Sequence, residues 1–95
     1  MALSEISQKD FKILDDWDIV LDGTSDYKGQ SSISPVVPMA VIYAWPADSP
    51  EPEDFRLHEY LHIALSAFRR IPEEGRYDAE EALVQDICRL FRERK

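Results

Sequence analysis

The sequence predicts a small α+β domain in the order helix, strand, strand, helix, helix. Three observations predict it. Apolar residues alternate at 17, 19 and 21, as in a half-buried strand. Residues 36–45 (VVPMAVIYAW) are rich in side chains that favour a pleated surface. Beyond residue 52 the apolar spacing changes to three and four residues, the period of an amphipathic helix. A chain of 95 residues is expected to form one domain, spanning 1–95, around one modest core.

The first element, residues 4–14 (SEISQKDFKIL), reads as a short helix capped by Ser4 or Ser7, with Ile6, Phe11 and Leu14 facing the core. The alternating strand covers Trp17 to Asp22. Residues 22–35 (DGTSDYKGQSSISP) read as a turn or loop, with room for a short strand near Ile33. In the second strand, 36–45, Pro38 either limits the start or marks a sheet edge. Residues 46–53 break regular structure, with Ser49 as cap and Pro50 as first residue of the next helix. That helix is expected from about 52 to 70, with Leu57, Leu61, Ala64, Leu65 and Phe68 on one face. Residues 71–76 end it. A last helix runs from about 77 to 92 with Leu83, Val84, Ile87, Leu90 and Phe91 as its apolar stripe.

Charge and cysteine usage narrow the function. The formal net charge is −8, which disfavours nucleic-acid binding, since that needs a basic patch. The one basic run is Arg89, Arg92, Arg94 and Lys95, where cations complement the dipole at the end of a helix. The single cysteine, Cys88, cannot form an internal disulfide, and it is expected to be a small buried side chain. No signal peptide and no membrane-spanning run is visible, so a soluble cytoplasmic protein is expected.

The chemistry is concentrated in His58-Glu59-Tyr60-Leu61-His62, an HExxH sequence holding both histidines of the chain. A spacing of four puts the two imidazoles on one helix face, where both can reach a single zinc ion. Glu59 is turned about 100° around the helix from His58. From there it reaches a water at the metal, the general-base position, rather than the metal itself. Catalytic zinc usually has three protein ligands. No third histidine exists, and Leu65 and Phe68 stand where an extended HExxHxxGxxH motif needs Gly and His. The third donor is therefore expected to be a carboxylate of the last helix, drawn from Asp78, Glu80, Glu81 and Asp86, ahead of Cys88. Helical phase puts Glu80 within the apolar stripe, where a buried carboxylate needs a partner. Glu81 lies on the smaller, partly polar flank of Val84, Gln85 and Cys88, which allows close helix approach. Gln85 could hydrogen-bond a histidine ring there.

HEYLH followed by Glu81-Ala82-Leu83-Val84-Gln85-Asp86-Ile87-Cys88 resembles the gluzincin metallopeptidases. The similarity is strongest to the single-domain minigluzincins and the ImmA/IrrE-type peptidases, a layout frequent among small phage and prophage proteins. In that pattern the ligand glutamate is followed by a small residue at +3, Asn or Asp at +4, a large apolar residue at +6 and a small one at +7. Glu81 fits this better than Glu80, with Gln85 as a departure at +4. The upstream strands fall in the gluzincin order, so the likeness spans roughly residues 11–92.

The resemblance implies a zincin-like domain with a short N-terminal helix, a small twisted sheet, the HExxH helix and a Glu-bearing C-terminal helix. It implies zinc held by His58, His62 and Glu81, and hydrolysis of a peptide bond by water activated by Glu59. The substrate would be an extended peptide or protein segment lying along the strand at 39–45. No second-site histidine is available for the oxyanion; Tyr77 is preferred for it over Tyr27, Tyr43 and Tyr60. The alternative function is a zinc-bound interaction protein with little or no activity that binds a phage or host partner. A third is an adaptor without metal. Oligomeric state is left open.

Overall fold

The computed structural model describes residues 5–46 and 48–93. A three-stranded sheet and two helices give the α+β class. The strands are β1 (Asp18–Asp22), β2 (Gln30–Ile33) and β3 (Met39–Tyr43). The helices are α1 (Phe55–Arg69) and α2 (Glu73–Glu93). The order in the sheet is β1-β3-β2, with β1 parallel and β2 antiparallel to β3.

Among the described residues, the segment expected as a first helix is instead broken into 3-10 turns, including Gln8–Asp10 and Lys12–Leu14. Phe11 between them is extended, at φ −125° and ψ 107°, which breaks any continuous helix. The Gln8 amide donates to the carbonyls of Leu14 and Trp17, at 2.7 and 2.5 Å, and so ties the irregular segment together. The Ser7 N–H is taken by the Asp10 carboxylate at 2.9 Å, while Ser4 lies outside the described residues. The inward residues are the expected ones: Ile6, Phe11 and Leu14 are fully buried. Burying each is worth about 1.5–3 kcal/mol, enough to fix the segment without helical hydrogen bonds.

The second strand is shorter than its apolar run and central rather than at an edge. Pro38 ends just outside it, and its carbonyl accepts the Asp18 N–H at 2.9 Å. Ala40 and Ile42 are buried on the inner face, in register with Ile19 and Leu21 on one side and Ile33 and Ser31 on the other. The loop at 22–35 does contain a short strand, β2. It opens at Gly29, whose φ is +84°. A Cβ there would come within 3.0 Å of the Trp45 ring, and that ring in turn meets Phe55 edge-on at 4.8 Å. Glycine thus lets the start of β2 lie on Trp45, which anchors it to the first turn of α1.

Both helix starts differ from expectation. Ser49 and Pro50 do not cap α1; Asp54 precedes its first residue, and its carbonyl accepts the His58 N–H at 2.9 Å. Pro52 disfavours helical geometry in the residue before it, which delays the start. α2 begins at Glu73, directly after Pro72, and runs through Gly75 rather than starting at 77. A proline there costs no hydrogen bond, because the first N–H groups of a helix have no internal partner.

α2 buries Leu83, Asp86 and Leu90, not the whole expected stripe. Val84 and Phe91 are exposed, and Cys88, expected inside, is exposed too. The buried carboxylate is Asp86. It accepts the Lys12 backbone N–H at 3.0 Å and lies 3.6 Å from the Arg89 guanidinium, which also donates to the Asp10 carbonyl at 2.7 Å. These bonds fasten α2 to the N-terminal turns. No helix among the described residues is long and apolar enough to cross a membrane.

Candidate metal centre

α1 holds the HExxH residues in its first two turns because its inward face is set by Phe55, Tyr60, Ile63, Ala64 and Ala67, all buried. That choice of face turns His58 and His62 outward. Their Nε2 atoms are 3.1 Å apart and their rings meet edge-on, with centroids 4.7 Å apart. Two nitrogens each about 2.05 Å from a tetrahedral ion stand about 3.3 Å apart. The dyad therefore fits a shared zinc ion with a small adjustment. The same spacing fits an imidazole–imidazole hydrogen bond.

Glu59 is only 3% exposed. Its Oε2 is 3.7 Å from His58 Nε2, so the carboxylate lies beside the dyad. The three side chains form one wall of a groove. The opposite wall is Gly29, Gln30, Ser31 and Ile33 of the β2 side. Small polar residues there leave room above the histidines. This wall was missed in the sequence because QSSI carries almost no strand or ligand signal; Gly29 beside a polar run was the available hint.

The remaining expected site residues are elsewhere. Glu81 and Glu80 are both exposed on α2, and among the described residues no group of three His, Cys, Asp or Glu side chains gathers around a metal position. Asp86 is committed to the Lys12 N–H and Arg89. Tyr77 is 74% exposed on α2 and does not line the groove. Neither do the other tyrosines. Tyr60 is buried against Phe11, with ring centroids 6.4 Å apart, and burial pushes its phenol above the ordinary value of 10.0. Tyr43 packs against Tyr27 at 5.9 Å.

No family model matches the chain, and no curated protein or solved structure does either.

Proposed function

We propose that the chain is a zinc-dependent metallopeptidase with a zincin-like active site. One observation carries the reading: the His58 and His62 nitrogens are 3.1 Å apart on one helix face, beside the Glu59 carboxylate, in a groove walled by a sheet strand. His58 and His62 hold the ion. Glu81 is the third donor on the strength of the gluzincin resemblance. When bound, zinc polarises a carbonyl oxygen and acidifies water. Glu59 takes a proton from the attacking water and passes it to the leaving amine nitrogen, so its carboxylate ends unchanged.

The sheet order supports a different strand as the place for a substrate. β3 is paired on both sides and has no free edge for a peptide. β2 is an outer strand and faces the histidines across the groove. An extended peptide or protein substrate would add to its free edge by main-chain hydrogen bonds, a mode that gives affinity without deep side-chain pockets. Such an enzyme would act in the cytoplasm.

The exposure of both Glu80 and Glu81 on α2 gives room for a second reading. In it the chain binds zinc as an interaction protein and hydrolyses nothing. Incubating the zinc-loaded protein with mixed peptides, with and without chelator, separates the two. The enzyme cleaves in a chelator-sensitive way, and Glu59→Gln stops cleavage while zinc stays bound. Zinc binding without cleavage leaves the interaction protein, and cleavage by the Gln variant removes Glu59 from its role.

A further inference from the structure

The residues of β3, the middle strand, alternate between two unlike faces of the sheet. Ala40 and Ile42 are buried on one. Met39, Val41 and Tyr43 lie on the other, in register with Asp18, Val20 and Asp22 of β1. Asp18, Val20, Met39 and Val41 border one shallow hollow together with Ser32 and Ser34, so they share a face. That face is apolar and open. Val20, Met39 and the adjoining Val37 are 50%, 47% and 43% exposed, and Tyr27, 64% exposed, leans on Tyr43 with ring centroids 5.9 Å apart. Contiguous exposed apolar surface of this kind marks an interaction site more often than a bare surface. Charge on it has one sign. The three strands carry two charged residues, Asp18 and Asp22, both on this face. Residues 15–43 add Asp15, Asp16 and Asp26 against Lys28 alone. Arg70 reaches the margin of the hollow but is engaged there by the carbonyls of Ser34 and Val37 and by the Trp17 ring.

We propose that this face docks a cationic amphipathic helix of another protein. Charge selects the occupant. An apolar centre framed by a carboxylate at each end of β1 attracts a helix whose apolar stripe is bordered by Arg or Lys, and the net charge of −8 steers it in. The same charge repels an anionic membrane surface. It also disfavours a second copy, because stacking this face on itself sets Asp18 and Asp22 against the same carboxylates, with no base in any of the three strands to pair them. Size agrees. Three strands about 4.8 Å apart make a platform for one helix of about 10 Å diameter. Asp18 and Asp22 stand about 13 Å apart along β1. Helix positions seven apart share a face and span about 10.5 Å, a gap that arginine side chains close at both carboxylates. Thr24 bonds Oδ1 of Asp22, which leaves Oδ2 for the partner. An arginine there also meets the ring of Tyr43, the residue in register with Asp22.

The docking does not rest on the metallopeptidase reading. The groove at His58, Glu59 and His62 is bordered by Ser31 and Ile33, which alternate to the opposite face of β2 from Ser32. Its test uses a labelled peptide of about five turns, with a leucine stripe bordered by arginines seven positions apart, titrated with the full chain and read by fluorescence anisotropy. The expected result is saturable one-to-one binding that makes the peptide helical and weakens as salt rises. A peptide of the same composition with its leucines dispersed round the helix binds at least about tenfold more weakly. Val20→Glu weakens binding by about tenfold although it adds an acid, because it removes the apolar centre. Asp18→Asn weakens it by about threefold, most at low salt. Both side chains are exposed, so both variants keep the wild-type circular dichroism and zinc content. No binding of the amphipathic peptide overturns the proposal. Equal binding of the dispersed peptide, or tighter binding by Val20→Glu, overturns it in favour of general attraction between opposite charges. Self-association of the chain that Val20→Glu abolishes would assign the face to a second copy. Binding to phosphatidylglycerol vesicles that Val20→Glu abolishes would assign it to a membrane. Either result overturns the proposal as well.

Discussion

α1 and α2 are both amphipathic helices, yet they use their polar positions in opposite ways. α1 buries one apolar face and concentrates its chemistry at His58, Glu59 and His62 in two turns beside β2. α2 is longer and more highly charged. It keeps one carboxylate, Asp86, inside as a fastening and presents Glu80, Glu81 and a second apolar stripe to the outside. Burial alone therefore does not mark a functional carboxylate. The buried Asp86 is explained by a backbone N–H and an arginine. The buried Glu59 stands beside two imidazoles at a groove. The contrast predicts that α1 substitutions on the groove side change zinc binding and leave stability alone, whereas inward α2 substitutions do the reverse.

The largest expected effect is on zinc affinity. Structural zinc sites bind with about 10–16 kcal/mol over four ligands, so each ligand contributes about 3 kcal/mol, more than a hundredfold. His62→Ala should lose at least that factor in zinc affinity, read by competition with a chromogenic chelator, with the urea midpoint unmoved because the side chain is exposed. Unchanged affinity would mean that the dyad is only a hydrogen-bonded pair. Next comes the choice of carboxylate. Glu81→Gln should weaken zinc by about a hundredfold if Glu81 completes the site, and Glu80→Gln by nothing measurable. Equal, negligible effects from both would leave α2 without a part in metal binding and make the division between the helices complete.

These two predictions also mark how far the sequence could be read. The HExxH spacing defines the dyad because a helix enforces it locally, and α1 forms where the three- and four-residue apolar spacing places it. The core residues Ile6, Phe11 and Leu14 were legible as well, although the helix expected around them was not formed. Hydrophobicity says which side chains go inside; it does not say that Phe11 takes an extended backbone. α2 misled because Val84 and Phe91 lie on one arc and Leu83 and Leu90 on another, on a helix that is apolar on two sides. Periodicity merges the two stripes, and only packing against Lys12–Leu14 decides which one is covered. The edge position of β2 was illegible for a related reason: strand order is a long-range property, and QSSI has little pattern of its own.

A smaller effect tests the fastening of α2. Asp86→Ala leaves the Lys12 N–H and part of the Arg89 guanidinium without an acceptor. The cost of a buried unsatisfied donor is about 1–3 kcal/mol, and the partial exposure of Arg89 keeps its share low, so about 2 kcal/mol is expected. The measurement is the urea midpoint, with zinc affinity as the control. Asp86→Asn should recover about half of the loss, since one amide oxygen still accepts from Lys12. A drop in zinc affinity with Asp86→Ala would break the contrast, because it would tie the packing of α2 to the dyad.

The smallest effect concerns how α1 is held at its far end. Arg56 pairs with Glu51 at 3.0 Å near the start of the helix, and Arg70 closes the other end. The Arg70 guanidinium stands 4.9 Å from the Trp17 ring centroid and donates to the carbonyls of Val37, at 3.1 Å, and Ser34. These carbonyls belong to the loop joining β2 to β3, so Arg70 sets where β2 returns toward β3 relative to the helix that carries the dyad. An exposed cation–π contact is worth about 0.5–1 kcal/mol, and the solvent-exposed hydrogen bonds add little. Arg70→Ala should therefore cost about 1 kcal/mol, seen as a lower urea midpoint with an unchanged slope. Arg70→Lys should recover less than half, because a single ammonium cannot serve two carbonyls and a ring face at once. If the groove is where a peptide adds to β2, Arg70→Ala should also raise KM more than it lowers kcat, since β2 shifts while His58, Glu59 and His62 stay on an intact helix. An equal fall in kcat would mean that the loop reaches the chemistry through more than the position of β2.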